Sequence, residues 1–289
     1  MITSKEKNIL RSLAGQIGEM GNAENNIKLE KEWYRHNSLE RGRPMILCNP
    51  EGAWQEIIPE ARLKTTHQLA RRWEFAMLQQ IFTAKELQDD HPIVRYFNIP
   101  WVVNVSNYGV EITEERTSSR GSFHYKPPLV DLNNDIDKLH YRYMTVDREE
   151  TERQVEIAEE LFGDLLPVRI RGSYWWTTGL TWELIKLIGL EKLMFAPYDE
   201  PENLHRIMQW LQGEMENFIT WFETEGLLSS NNENDHVGSG GLGFSTELPD
   251  RSDNAEGPVT LSDRWGFAES QETVGVSPEM FKEFIIPYQ

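Results

Sequence analysis

Apolar positions fall into two rhythms along the chain. Near the N-terminus Ile9, Leu10, Leu13 and Ile17 mark one face of a helix, Gly21 and Asn22 break it, and a second polar segment runs through Trp33 and Tyr34. Pro44 to Pro50 is a short apolar run bounded by prolines, which reads as a buried strand over 44–49. Leu69, Trp73, Ala76, Met77, Gln80 and Ile81 predict a core-facing helix between His67 and Leu87, followed by a second strand over 99–106. Residues 113–147 have no sustained period and many turn formers, consistent with strand pieces or a long excursion. A helix from Arg148 to Phe162 stops at Gly163, and 165–171 is the third strand. Helical stretches over Leu180–Ile188 and Glu191–Phe195 precede the most regular helix. Asp199-Glu-Pro201 opens it, and Leu204, Met208, Leu211, Met215, Phe218, Ile219 and Phe222 form its apolar side. Residues 226–231 are the fourth strand, 233–276 are irregular, and Ser277-Pro278 caps a last helix from Met280 to about Ile286.

Strands alternate with helices across crossovers long enough for parallel pairing, and short wholly apolar strands are those that helices cover on both faces. The pattern predicts an α/β fold of the barrel-building kind. A helical extension over 1–40 leads into the first part of a (β/α) barrel over 41–289, truncated after about four βα units. Four strands leave an open edge and uncovered inner faces at Val102, Val103, Ile170 and Leu228, so a second chain or second copy, as in a homo-oligomer, is expected to cover them.

Composition narrows the partners. A formal net charge of −18 argues against a nucleic acid or an anionic membrane surface. The one cysteine, Cys48, excludes an internal disulfide framework and any multi-cysteine metal site. No run approaches the roughly 18 apolar residues of a membrane span, and no signal-peptide pattern opens the chain, so a reducing cytoplasmic setting is expected.

Ligands of parallel α/β folds meet the carboxyl ends of the strands. The polar residues there are Glu51 and Trp54 after the first strand, Tyr108 after the second, Arg171 and Tyr174 at and after the third, and Asn231, Asn232, Asp235 and His236 at and after the fourth. Asp263 and Trp265 add to this substrate-binding set, while Glu269 and Glu272 join Asp235 and His236 as candidate proton-transfer groups. The segment Gly238-Ser-Gly-Gly-Leu-Gly243 lacks the Gly-Lys-Ser/Thr of a phosphate cradle, so its glycines are read as serving a tight bend or a close approach to a ligand.

Gly189-Leu-Glu-Lys-Leu-Met-Phe-Ala-Pro-Tyr-Asp-Glu-Pro-Glu-Asn-Leu-His205 resembles the third helical region of the uroporphyrinogen decarboxylase-like superfamily. Val276-Ser-Pro-Glu-Met-Phe-Lys-Glu-Phe-Ile-Ile-Pro-Tyr288 is similar to its Ser-Pro, aromatic, Glu-Phe, Pro-Tyr pattern. Asn231 to Gly241 and Trp265 to Glu272 look like a further branch of it. The likeness runs over roughly residues 40–289 and is densest from about 165 onward. It implies a (β/α)₈ barrel with its site at the strands' carboxyl ends. Where uroporphyrinogen decarboxylases carry an Arg-rich segment, this chain has Cys48-Asn-Pro-Glu-Gly-Ala-Trp54, which points away from tetrapyrroles. The resemblance then implies methyl transfer from a small methylated substrate to a corrinoid protein, with decarboxylation of a carboxylated substrate as the alternative. A non-catalytic binding or truncated, inactive protein is the third possibility. Such methyltransferases use zinc, whose ligands the resemblance places mainly beyond residue 289; the corrinoid enters only on the partner protein.

Overall fold

The computed structural model describes residues 1–117, 123–237, 240–248 and 257–289. Helix α1 (Ser4–Gly21) opens with a reciprocal cap in which Thr3 Oγ1 accepts from the Glu6 N–H and Glu6 Oε2 accepts from the Thr3 N–H at 2.9 Å. The other oxygen of Glu6 accepts from the N–H groups of Thr66 and His67 at 2.7 and 2.9 Å, where helix α4 (Gln68–Phe82) begins. One buried carboxylate thus satisfies orphan donors at the start of two helices. Between them lie α2 (Glu24–Asn37) and the single turn α3 (Trp54–Ile57).

The rest of the chain is mixed. Strands β1 (Phe97–Ile99), β2 (Val102–Val105), β3 (Thr113–Arg116) and β4 (Phe123–Lys126) lead to the turn α5 (Leu132–Asp135), β5 (Met144–Asp147), α6 (Arg148–Phe162) and β6 (Val168–Ile170). Helices α7 (Leu180–Ile188), α8 (Leu190–Asp199) and α9 (Pro201–Thr224) follow, then β7 (His236–Val237), β8 (Gly241–Leu242) and α10 (Pro278–Phe284). Among the described residues the strands form separate two-stranded ladders. β1 and β6 are parallel, with Phe97 opposite Val168 and Ile99 opposite Ile170. β2–β5, β3–β4 and β7–β8 are antiparallel.

This is an α/β chain, and no closed barrel is seen among the described residues. Three expectations are corrected. Residues 44–49 form no strand, because side chains take their backbone donors: Asp90 accepts from Ile46 N–H at 2.7 Å and Asp89 from Cys48 N–H at 2.6 Å. Residues 226–231 also lack ladder partners; Gly226 turns the chain at φ +66°, and Leu227 and Leu228 sink beneath Phe218 and Phe222. The expected strand over 99–106 is two ladders broken at Pro100, of which β2 pairs antiparallel with β5. Leu228 is consequently buried rather than left on an open inner face, while Ile170 remains exposed.

Two main cores hold these elements. The first joins α1, α4, α6 and β1, where Trp73, Phe97 and Phe162 meet edge to face with centroids 4.9–5.9 Å apart. The second joins α7, α8, α9 and α10 around Leu184, Leu187, Leu193, Leu204, Leu211 and Phe284. No helix among the described residues is long and apolar enough to cross a membrane.

The backbone donors of His67, Thr3 and Thr66 hold the Glu6 carboxyl well below its ordinary value. A depressed carboxyl contributes stability above its unfolded value and loses it as pH falls through the folded one. Glu6→Gln is therefore expected to lower stability at pH 7 by about 1–3 kcal/mol in chemical denaturation. The gap between variant and parent should narrow on acidification below the usual carboxylate range; a gap that stays constant into strong acid contradicts this role.

Candidate functional site

In β6 and its extension, alternation of side chains puts Arg169 and Arg171 on one face. Beyond Asn231 the same spacing recurs in Glu233 and Asp235, and the two pairs face each other. Arg169 grips Glu233 with both terminal nitrogens, at 2.6 and 3.2 Å, while its Nε donates to Asn98 at 2.7 Å on the paired strand β1. Its guanidinium lies over the Tyr96 ring, 4.2 Å from the centroid. Arg171, buried, donates to Asp235 Oδ2 at 2.5 Å and stands 3.9 Å from Glu233. Asp235 Oδ2 also accepts from the Glu233 N–H at 3.1 Å. Burial works against the Glu233 charge, but the Arg169 hydrogen bond and the fields of Arg171, Arg169 and Arg95 outweigh it and hold the carboxyl below its ordinary value.

Two of the cavities that this double ion pair borders hold residues expected at the site. The larger, about 510 Å³, is lined by Arg169 and Arg171 together with Tyr34, Tyr96, Ser230 and Asn232. The smaller, about 20 Å³, lies on the Asp235 side, among Trp175, Trp176, Asn231, His236, Arg264 and Trp265. Two stitches shape the smaller one. The Asn231 side chain exchanges hydrogen bonds with the Trp265 backbone at 2.8 and 3.0 Å, and the Phe267 carbonyl accepts from the Thr178 N–H at 2.7 Å.

The structure gathers Arg171, Asn231, Asn232, Asp235, His236 and Trp265 around these two cavities. Tyr174 stands behind them as a support. Its hydroxyl accepts from the Trp101 N–H at 3.1 Å, its ring stacks on Phe222 with centroids 4.4 Å apart, and burial pushes the phenol up to about 12. The remaining expected residues lie elsewhere. Tyr108 is in the α7–α9 core, donating to Glu183 at 2.9 Å, and burial and the Glu183 charge raise its phenol. Glu51 is exposed at a turn, and Trp54 meets Phe82 edge to face. Asp263 is a buried cap for Thr260, accepting at 2.9 Å from both its N–H and its hydroxyl. Glu272 accepts from Thr181 at 2.7 Å, and Glu269 from Gln271 at 2.6 Å.

Sequence reasoning missed Arg169, Glu233, Arg264 and the whole contribution of α2. The i, i+2 spacing of Arg169–Arg171 and of Glu233–Asp235 was the available signal. Helix α2 is a wall of the site rather than an extension beside it. Tyr34 lines the larger cavity, Trp33 packs on Leu242 and Phe244, and the Asn37 amide donates to the carbonyls of those two residues at 2.8 and 2.7 Å. Gly238 and Ser239 lie outside the described residues. At Gly243 a side chain would collide with the Asn231 carbonyl, so this glycine serves a close approach of the chain to itself.

Three kinds of comparison with known proteins return nothing: no protein-family model, curated protein or solved structure matches this chain. Among the described residues no three His, Cys, Asp or Glu side chains gather as a metal site, and exposed Cys48 is not among the residues lining either cavity. The zinc implied by the resemblance therefore has no ligand set among the described residues.

Asn37→Ala removes a side-chain donor that reaches both the Leu242 and the Phe244 carbonyls. It is expected to cost about 1–3 kcal/mol and to speed amide exchange selectively over 241–245. Unchanged exchange there would show that α2 does not hold the site.

Proposed function

We propose that this chain is a small-molecule enzyme of the uroporphyrinogen decarboxylase-like kind, transferring a methyl group from a small methylated substrate to a corrinoid protein. The observation that supports it is the convergence of 169–176, 229–237 and 264–267 on two adjoining cavities that share a half-buried ion pair. The larger is within the size range of small-ligand pockets, and its lining is mostly polar, with Tyr34, Tyr96, Leu228 and Val259 among its aromatic and apolar surfaces. The (β/α)₈ barrel belongs to the same proposal, with β1 and β6 as its parallel pair.

The chain's own groups divide the work. Asp235 is committed to Arg171 and to the Glu233 N–H, which fixes its carboxylate and leaves it unsuited to abstract a proton. His236, next in sequence, is exposed, lines the smaller cavity, and its ring carries no hydrogen bond among the described residues. It is the group free to hand a proton to the heteroatom that a departing methyl leaves behind. The arginines favour decarboxylation as the second reading, since guanidinium forks bind carboxylates.

A panel of methyl ethers, methyl thioethers and methylamines, mixed with the protein and free cob(I)alamin, tests the reaction by loss of the cob(I)alamin absorbance. Substrate-dependent loss is expected, falling at least tenfold in His236→Ala with an unchanged melting temperature. Carbon dioxide release from a panel of small carboxylic acids, without methyl transfer, would transfer the proposal to the second reading. Neither reaction would contradict both.

A further inference from the structure

Charge around the two cavities does not balance. Three guanidiniums, those of Arg169, Arg171 and Arg264, face two carboxylates. Glu233 is taken by Arg169 and Asp235 by Arg171, each at hydrogen-bond distance. Arg264 is left over. Its Nη1 donates to the Ser229 backbone carbonyl, its guanidinium lies 5.2 Å from the Trp175 ring centroid, and among the described residues no carboxylate stands within ion-pair distance of it. Burial lowers its pKa, the Asp235 charge opposes that shift and the Arg171 charge adds to it. A guanidinium presents five donors in a planar fork, and the Ser229 carbonyl and an aromatic face satisfy only part of that capacity.

The unspent charge borders the smaller cavity, where Trp175, Trp176 and Trp265 supply apolar walls and His236 and Asn231 the polar groups. Asp235 is there too and its charge acts on Arg264, but its carboxylate is hydrogen-bonded to Arg171 and makes no ion pair with Arg264. Space of about 20 Å³ exceeds what one water needs, and it suits the head of a ligand rather than a whole substrate.

We infer that Arg264 and the cleft around it form an oxyanion subsite that takes the carboxylate of a small substrate. The inference rests on reading the Arg169–Arg171 cavity as part of a substrate site. It adds a substrate class, a small molecule carrying both the reacting group and a carboxylate, and a specificity residue to that reading. Arg264 holds the carboxylate through its free donors, the indoles of Trp175, Trp176 and Trp265 flank the pair, and the carboxylate end of the substrate lies beside His236.

The three tryptophans of the cleft provide the readout. Sodium acetate, at constant ionic strength, is expected to change tryptophan fluorescence saturably, and acetamide, its neutral isostere, is not. Arg264→Gln should weaken acetate binding at least tenfold, while Arg206→Gln, which breaks an exposed ion pair with Asp137, should leave it unchanged. Equal affinity in Arg264→Gln, equal response to acetamide, or saturation by inorganic phosphate without acetate would overturn the assignment. If Arg264→Gln does not fold, Arg264→Lys keeps a donor for the Ser229 carbonyl. It is expected to bind acetate at least threefold more weakly because the planar fork is lost, and parental affinity would overturn the assignment. Acetate binding that persists without turnover on any panel removes the proposed reaction and leaves the subsite. Turnover whose KM for carboxylated substrates ignores Arg264 removes the subsite and leaves the reaction.

Discussion

Arg171 is buried at the end of β6, and a buried guanidinium that lost its carboxylate would face a desolvation cost of several kcal/mol. That cost holds Asp235 where it is, and much of the site follows from it. With Asp235 fixed, its carbonyl receives the Gly243 N–H at 2.8 Å, next to the antiparallel pairing of β7 with β8. Leu242 and Phe244 pack against Trp33, and Asn37 clamps their carbonyls. One ion pair therefore links the β1–β6 ladder, the loop after α9 and the N-terminal helix α2.

The same pair partitions the chemistry. Larger and smaller cavities share it as a wall, with Arg169 and Glu233 closing one side and His236 and Arg264 standing on the other. Each carboxylate in the wall is matched, and on the proposed reading the ligand charge is met at Arg264 and the proton is handed over at His236. Trp175 lies beside the Arg264 guanidinium, while His236 at the mouth of the same cleft stays open to solvent.

The sequence was informative wherever one period dominated. Helices α4, α6, α7 and α9 could be read from residues such as Trp73, Leu184 and Phe218, because each buries one stripe. Strands were less legible. The apolar run over 44–49 has the composition of a strand, yet Asp89 and Asp90, some forty residues away, capture its backbone donors. Leu227 and Leu228 are likewise apolar for burial under α9 and not for a ladder. At the site, Asp235 and His236 were conspicuous as charged neighbours after an apolar run. Arg169 and Glu233 were not, because each looks like an ordinary surface charge until the partner from 64 residues away is seen. Tyr108 misled for the opposite reason: a tyrosine after a strand resembles a ligand contact, while its hydroxyl is spent on Glu183 inside the core.

A double-mutant cycle on Arg171 and Asp235, read by chemical denaturation of Arg171→Gln, Asp235→Asn and the double variant, tests the organising role of the pair most directly. Asp235→Asn should cost about 3–5 kcal/mol by stranding the buried Arg171. Arg171→Gln should cost less because Asp235 keeps some contact with solvent, and the double should cost less than the sum by about 1.5 kcal/mol or more. Additivity within about 0.5 kcal/mol would contradict the account, because it would mean that neither residue depends on the other.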